Sequence, residues 1–210
     1  MKILYEDNHI IVCIKETGIL SQADSSDKID MLTLLKDYIK QKYKKEGNVY
    51  LGLVHRLDIN TSGVMVFART SKAAARLNDA INNHKFNKKY HALVEGKFEN
   101  LEKQTLVSNI YKDEKQKKAF IRKDGKEASL DFIPIKQYKI NNQDVTLLDI
   151  VLHTGRFHQI RCQMASIGHP LIGDIKYGSK NNNEFYYLCA YQLSFPHPIT
   201  KEMITFKMEE

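Results

Sequence analysis

Three stretches of this 210-residue chain concentrate charged and polar side chains between apolar segments, and each carries groups able to do chemistry. In the first, His55, Arg56, Leu57 and Asp58 lead into Ile59, Asn60, Thr61, Ser62 and Gly63. A carboxylate in such a loop, beside a guanidinium and several hydroxyl or amide groups, can be presented at the rim or floor of a cleft as a catalytic group. The same residues also suit an ordinary turn capped by Asp58 with Asn60 and Thr61, and residue types alone leave both readings open. The second stretch, residues 88–96, contains Lys88 and Tyr90. Strand alternation there puts Tyr90, Ala92 and Val94 on one face, where a tyrosine more often packs than reacts. The third, residues 154–161, runs T-G-R-F-H-Q-I-R from a strand end into a helix start. Backbone N–H groups and arginine forks at such a place hold anions. Arg161, one turn inside that helix, suits the role of fixed counter-ion to a carboxylate elsewhere. Spacing alone does not bring the three stretches together.

The elements that must position them are legible as apolar periodicities. Residues 3–6 and 10–14 read as strands around a turn at Asp7 and Asn8, and residues 18–28 as a polar loop. Leu32, Leu35, Ile39 and Tyr43 recur at helical spacing over residues 31–45, with a stop expected near Gly47 and Asn48. Residues 51–57 and 63–69 are short apolar segments flanking the Asp58 loop. Thr70 or Ser71 then caps a helix to about residue 82. Strand-like segments follow at 90–95, 106–110, 119–122, 128–138 and 145–152. A helix over 157–167 is closed by Gly168, and strands over 187–193 and 203–207 finish the chain. Many strands, few helices and no βαβα alternation predict an α+β fold on a mixed, largely antiparallel sheet, with residues 1–210 as a single domain.

Composition bounds the partners. Lys plus Arg number 32 against 25 Asp plus Glu, a net charge of +7, which favours a polyanionic partner. Residues 111–126 hold seven basic side chains against three acidic ones. That run reads either as a phosphate-contacting arm bearing Lys115, Lys117 and Lys118 or as a solvated hairpin. No apolar run approaches the roughly 20 residues a membrane span needs, and the start of the chain lacks a signal-peptide core, so a cytoplasmic location is expected. Cys13, Cys162 and Cys189 read as buried free thiols. His153, His158 and Cys162 have a spacing that invites a metal, yet no second cluster completes a tetrahedral site, and no metal is expected.

Taken in order, these segments resemble the signature of the RluA-like family of RNA pseudouridine synthases. The family's H-R-L-D-x-x-T-S-G pattern matches residues 55–63, its K-x-Y-x-A motif matches Lys88, Tyr90 and Ala92, and its T-G-R-x-H-Q-I-R motif matches residues 154–161. G-H-P-x-x-G-D follows at residues 168–174, and residues 3–20 resemble the family's first motif. One departure stands out: Glu16 follows Lys15 where the family usually has proline, so the first turn is expected to differ locally. The stretch before Ile3 is too short for the small S4-like domain of many relatives, so RNA capture is expected to rest on the catalytic domain.

The resemblance implies a pseudouridine synthase fold around a basic cleft and a cofactor-free isomerisation of uridine within structured RNA, rRNA or tRNA. It assigns the catalytic carboxylate to Asp58, which attacks C1′ or removes a sugar proton to give a glycal. It makes Arg161 the partner of Asp58 and Tyr90 the residue packing on the base. It makes Arg56 the side chain that fills the gap left by a flipped nucleotide. Lys88 and Arg156 join Arg56 and the hairpin lysines as RNA contacts, and a monomer is expected. The rival readings are a non-catalytic RNA-binding or ribosome-assembly protein on the same fold, and a nucleoside hydrolase pairing Asp58 with His55 or His158.

Overall fold

The computed structural model describes residues 1–181 and 185–209. The chain forms two compact units, residues 1–87 with 190–210, and residues 88–189. Among the described residues, strands and three α-helices make an α+β fold, largely antiparallel.

In the first unit, β1 (Lys2–Glu6) pairs antiparallel with β2 (Ile10–Lys15), and β2 pairs antiparallel with β4 (Ser62–Ala68). A short β3 (Gly52–Leu53) also lies on β4, whose other neighbour is β10 (Leu188–Pro196), in this unit from Ala190 onward; β11 (Met203–Lys207) completes it. β2 is apolar almost throughout because it is flanked on both edges and buried. Helix α2 (Ser71–Asn82) buries Ala73, Leu77 and Ala80, one helical stripe, and packs Ala73 and Leu77 against Ile10, Val12, Val64, Val66, Leu193 and Phe195. Thr70 caps it through its side-chain oxygen, which accepts the Ala73 N–H at 3.1 Å. Helix α1 (Met31–Lys42) is capped in the same way by Asp30 and buries Met31, Leu35 and Ile39. It stops short of the expected Gly47 because Lys44 turns left-handed (φ 47°), and the Tyr43 hydroxyl donates to Glu6 at 2.6 Å.

The second unit is built on the antiparallel series β5 (Asn87–Glu95, in this unit from Lys88), β9 (Gln143–Leu152), β8 (Lys126–Ile140), β6 (Gln104–Asp113) and β7 (Lys118–Ile121). Tyr90, Ala92 and Val94 are all buried, as alternation requires. Pro134, which has no N–H to give a ladder, sits where the β8–β9 register shifts. Helix α3 (Gln159–Ser166) packs Cys162 against Ile110, Ala119, Ala128 and Tyr177. A 3-10 turn (Ile175–Tyr177) follows it. All three cysteines are buried and unbridged. Among the described residues no helix is long and apolar enough to cross a membrane.

Candidate active site

In the first unit the loop carrying Asp58 is fixed through its main chain. Leu57 donates its N–H to Ser21 Oγ at 3.0 Å and accepts the same hydroxyl's proton at 2.8 Å. Asp58 turns the chain by accepting the Thr61 N–H on its carbonyl at 3.0 Å. The next carbonyl, of Ile59, takes the Gly18 N–H at 2.9 Å and the Lys15 ammonium at 2.9 Å. That ammonium, fully buried, also donates to the carbonyls of Glu16 (3.0 Å) and Ile19 (2.6 Å), so its three donors meet three acceptors. Burial pushes it down to about 8, while the Asp58 charge pulls it back up.

Glu16 contributes a main-chain carbonyl to this knot, which proline would supply as well; the departure from the family pattern therefore leaves it intact. His55 Nε2 accepts the Val66 N–H at 3.0 Å, so that nitrogen serves the fold rather than a substrate. Gly63 follows the loop at φ 138°, and a β-carbon there would lie 2.4 Å from the Ala190 carbonyl oxygen and 2.6 Å from its nitrogen. Glycine alone lets β10 approach so closely. Arg56 is exposed.

In the second unit the structure brings the second and third motifs together. β5 and β9 are antiparallel, with Lys88 opposite Leu152 and Tyr90 opposite Ile150, so the strand carrying Lys88 and Tyr90 runs beside the one leading into T-G-R. Lys88 Nζ lies 3.9 Å from where a β-carbon on Gly155 would be, and burial pushes its ammonium down to about 8. The helix predicted over 157–167 begins only at Gln159, because His158 is left-handed (φ 49°) and ends a knotted loop. Gln159 Oε1 accepts from Thr154 Oγ1 (2.8 Å) and from the Arg156 N–H (3.0 Å), and its Nε2 donates to the Ser129 carbonyl (3.0 Å). Arg156 is exposed, with Nε donating to the Glu127 carbonyl at 2.8 Å.

Arg161 is 7% exposed and held by Asp174, itself 2% exposed, through two parallel bonds: Nε to Oδ2 at 2.6 Å and Nη2 to Oδ1 at 2.8 Å. Two of the guanidinium's five N–H donors thus serve its orientation. Its carbon lies 4.4 Å from the Tyr186 ring centre and 5.0 Å from that of Tyr177. The hairpin of β6 and β7 exposes Lys115 and Lys117 at its turn, while Lys118 is half-buried. His153 Nε2 lies 3.0 Å from an Asp131 carboxylate oxygen, and His158 Nδ1 bonds the Tyr177 hydroxyl at 2.9 Å.

Sequence reasoning gave no role to Lys15, Gln159, Asp174 or Tyr177. Lys15 carried a signal, a lone cation ending an apolar strand. Asp174 closes the G-H-P-x-x-G-D motif, but its partner is thirteen residues back on a helix, which spacing does not reveal.

The fold is that of a pseudouridylate synthase. It superposes on the structure titled Human RNA Pseudouridylate Synthase Domain Containing 1 with a TM-score of 0.80 at 20% identity, covering 100% of this chain and 83% of that one. The sequence places the chain within a family as well. A model of the RNA pseudouridylate synthase family matches residues 9–166. A relative from Aquifex aeolicus named as an RNA pseudouridine synthase is 35% identical over 100% of this chain and 69% of its own length. A Buchnera aphidicola relative named ribosomal large subunit pseudouridine synthase C is 33% identical over 96% of this chain and 64% of its own length. The chain belongs to the RNA pseudouridylate synthase family, whose enzymes are isomerases, and it spans about two thirds of the length of these curated relatives.

Proposed function

We propose that the protein converts uridines in structured RNA, rRNA or tRNA, to pseudouridine, with Asp58 as the catalytic carboxylate. The reading is carried by one observation: the family match over residues 9–166 takes in all three polar motifs in order. In this reaction the C1′–N1 bond breaks, the uracil turns, and C1′ joins C5. C5 loses a proton and N1 gains one, so the product is an isomer and no co-reactant is consumed. Asp58 either attacks C1′ or removes a sugar proton, and both routes need it ionised. Arg161, kept charged and oriented by Asp174, supplies the favouring positive charge. Tyr90 packs on the base. A stacked uridine must first leave its helix, at a cost of a few kcal/mol, and Arg56 fills the space it vacates. Lys88, Arg156 and the hairpin residues Lys115, Lys117 and Lys118 contact phosphate. The protein works in this way as a monomer in the cytoplasm, residues 1–210 serving as one catalytic domain.

The non-catalytic RNA-binding rival has no use for a carboxylate whose loop is fixed on both sides. The nucleoside-hydrolase rival is weakened by His55, whose Nε2 is engaged by the Val66 N–H. The test is Asp58→Asn with RNA pseudouridine mapping and a binding titration. Pseudouridine formation is expected to fall below detection with RNA affinity within a few-fold of wild type, and a fully active variant rules the assignment out.

A further inference from the structure

Tyr177, in the 3-10 turn after α3, touches groups from three separate parts of the second unit and is 9% exposed. Its hydroxyl accepts the Ala119 N–H, at the start of β7, at 2.8 Å. The same oxygen lies 2.9 Å from Nδ1 of His158, the residue that opens α3, within hydrogen-bond distance. Its ring centre lies 5.0 Å from the Arg161 guanidinium carbon and 5.1 Å from Lys118 Nζ, so two cations share one aromatic ring. Beside it, Lys176 Nζ donates to the Lys117 carbonyl at 3.0 Å, a second tie between this turn and the hairpin. Lys112 stands over the Phe157 ring at 4.8 Å, and Phe157 stacks on His158 at 3.8 Å, extending the contact between hairpin and α3.

We propose that Tyr177 is a positioning residue that couples the docking of RNA on the β6–β7 hairpin to the setting of Arg161. The hydroxyl pins the hairpin where β7 begins, one residue from Lys118. The ring supports the guanidinium that Asp174 orients. A phosphate that draws Lys118 moves the Ala119 N–H, and through it the ring on which Arg161 rests. The proposal rests on the reading of the hairpin as an RNA contact and of Arg161 as a catalytic group.

The experiment separates hydroxyl from ring in the full chain, using an RNA that the wild-type protein modifies. Tyr177→Phe keeps the ring and loses the hydrogen bonds; its KM for RNA is expected to rise about five-fold, the scale of one hydrogen bond, with kcat within about two-fold. Tyr177→Leu loses both, and its kcat is expected to fall a further ten-fold or so, the scale of a desolvated cation–π contact. A Tyr177→Phe enzyme with wild-type KM and wild-type salt dependence of RNA binding overturns the proposal. So does a matching loss of kcat and melting temperature in both variants, which marks a purely structural role. If Tyr177→Leu does not fold, the KM-against-kcat split of Tyr177→Phe decides alone. Full activity in Arg161→Met would instead bring down the catalytic reading, whereas an inactive Arg161→Met beside a silent Tyr177→Phe removes only the coupling.

Discussion

Asp58 and Arg161 are fixed by opposite means. The carboxylate stands on a loop whose peptide groups are tied down on both sides, by Ser21 at Leu57 and by Gly18 and Lys15 at Ile59. The guanidinium stands on a helix and is aimed by another side chain, Asp174. A backbone-built mount holds whatever side chain it carries, so a near-isosteric change at Asp58 should cost chemistry and little stability. A side-chain mount fails in both respects when one partner goes, because the other is left buried and charged.

The sharpest way to break this contrast is Arg161→Met. It leaves Asp174 unpaired and is expected to cost about 3–5 kcal/mol, a fall of roughly 10 °C in melting temperature for a chain of this size, along with activity. Adding Asp174→Leu should return most of the stability by removing the orphan charge and none of the activity. A single variant that melts like wild type contradicts the side-chain mount.

Lys15→Met probes the backbone mount. Losing the ammonium leaves three main-chain carbonyls without its hydrogen bonds, with an expected cost of about 1–3 kcal/mol and a fall in kcat as the Asp58 loop loosens. The pH dependence carries its own sign. The folded Lys15 sits at about 8 against 10.5 for a free lysine, so the unfolded chain binds more protons between those values. Stability from this group therefore rises as pH climbs from 8 to 10.5. Denaturant titrations of wild type and Lys15→Met across that window should differ in slope, and parallel curves would remove Lys15 as the buried cation.

Neutralising Lys115, Lys117 and Lys118 together should leave folding alone. It should lower the salt slope of RNA binding by about 0.7–0.9 for each phosphate these lysines neutralise, and an unchanged slope returns the hairpin to mere solvation. The smallest effect lies at Asp131. Burial raises its carboxyl, but hydrogen bonds from Lys103, Thr105 and His153 outweigh that and hold it at about 2. Its folded value is below the ordinary 3.8, so its contribution is present above pH 4 and drains away as pH falls toward 2. Asp131→Asn should flatten acid unfolding over that window alone, and an acid limb that keeps its wild-type slope would show that Asp131 carries none of it.

The α+β class, nearly every strand, a cap at Thr70 or Ser71 and the family were all written in the sequence, because apolar alternation, capping residues and ordered motifs are local properties of the chain. The stretch around Asp58 was marked there too, though residue types alone left open whether that loop was a site or a turn. Which groups hold the site emerged from the folded chain alone. Lys15 reads as the end of a strand until its ammonium meets a carbonyl forty-four residues away, and Asp174 reads as a loop acid until it meets Arg161. The early end of α1 and the late start of α3 belong to the same class, since Lys44 and His158 adopt left-handed backbones that no propensity foretells. Hydrogen bonds and ion pairs act over about 3 Å in space and take no account of separation in sequence. The residues proposed to react were therefore legible along the chain, and the contacts that hold them were not.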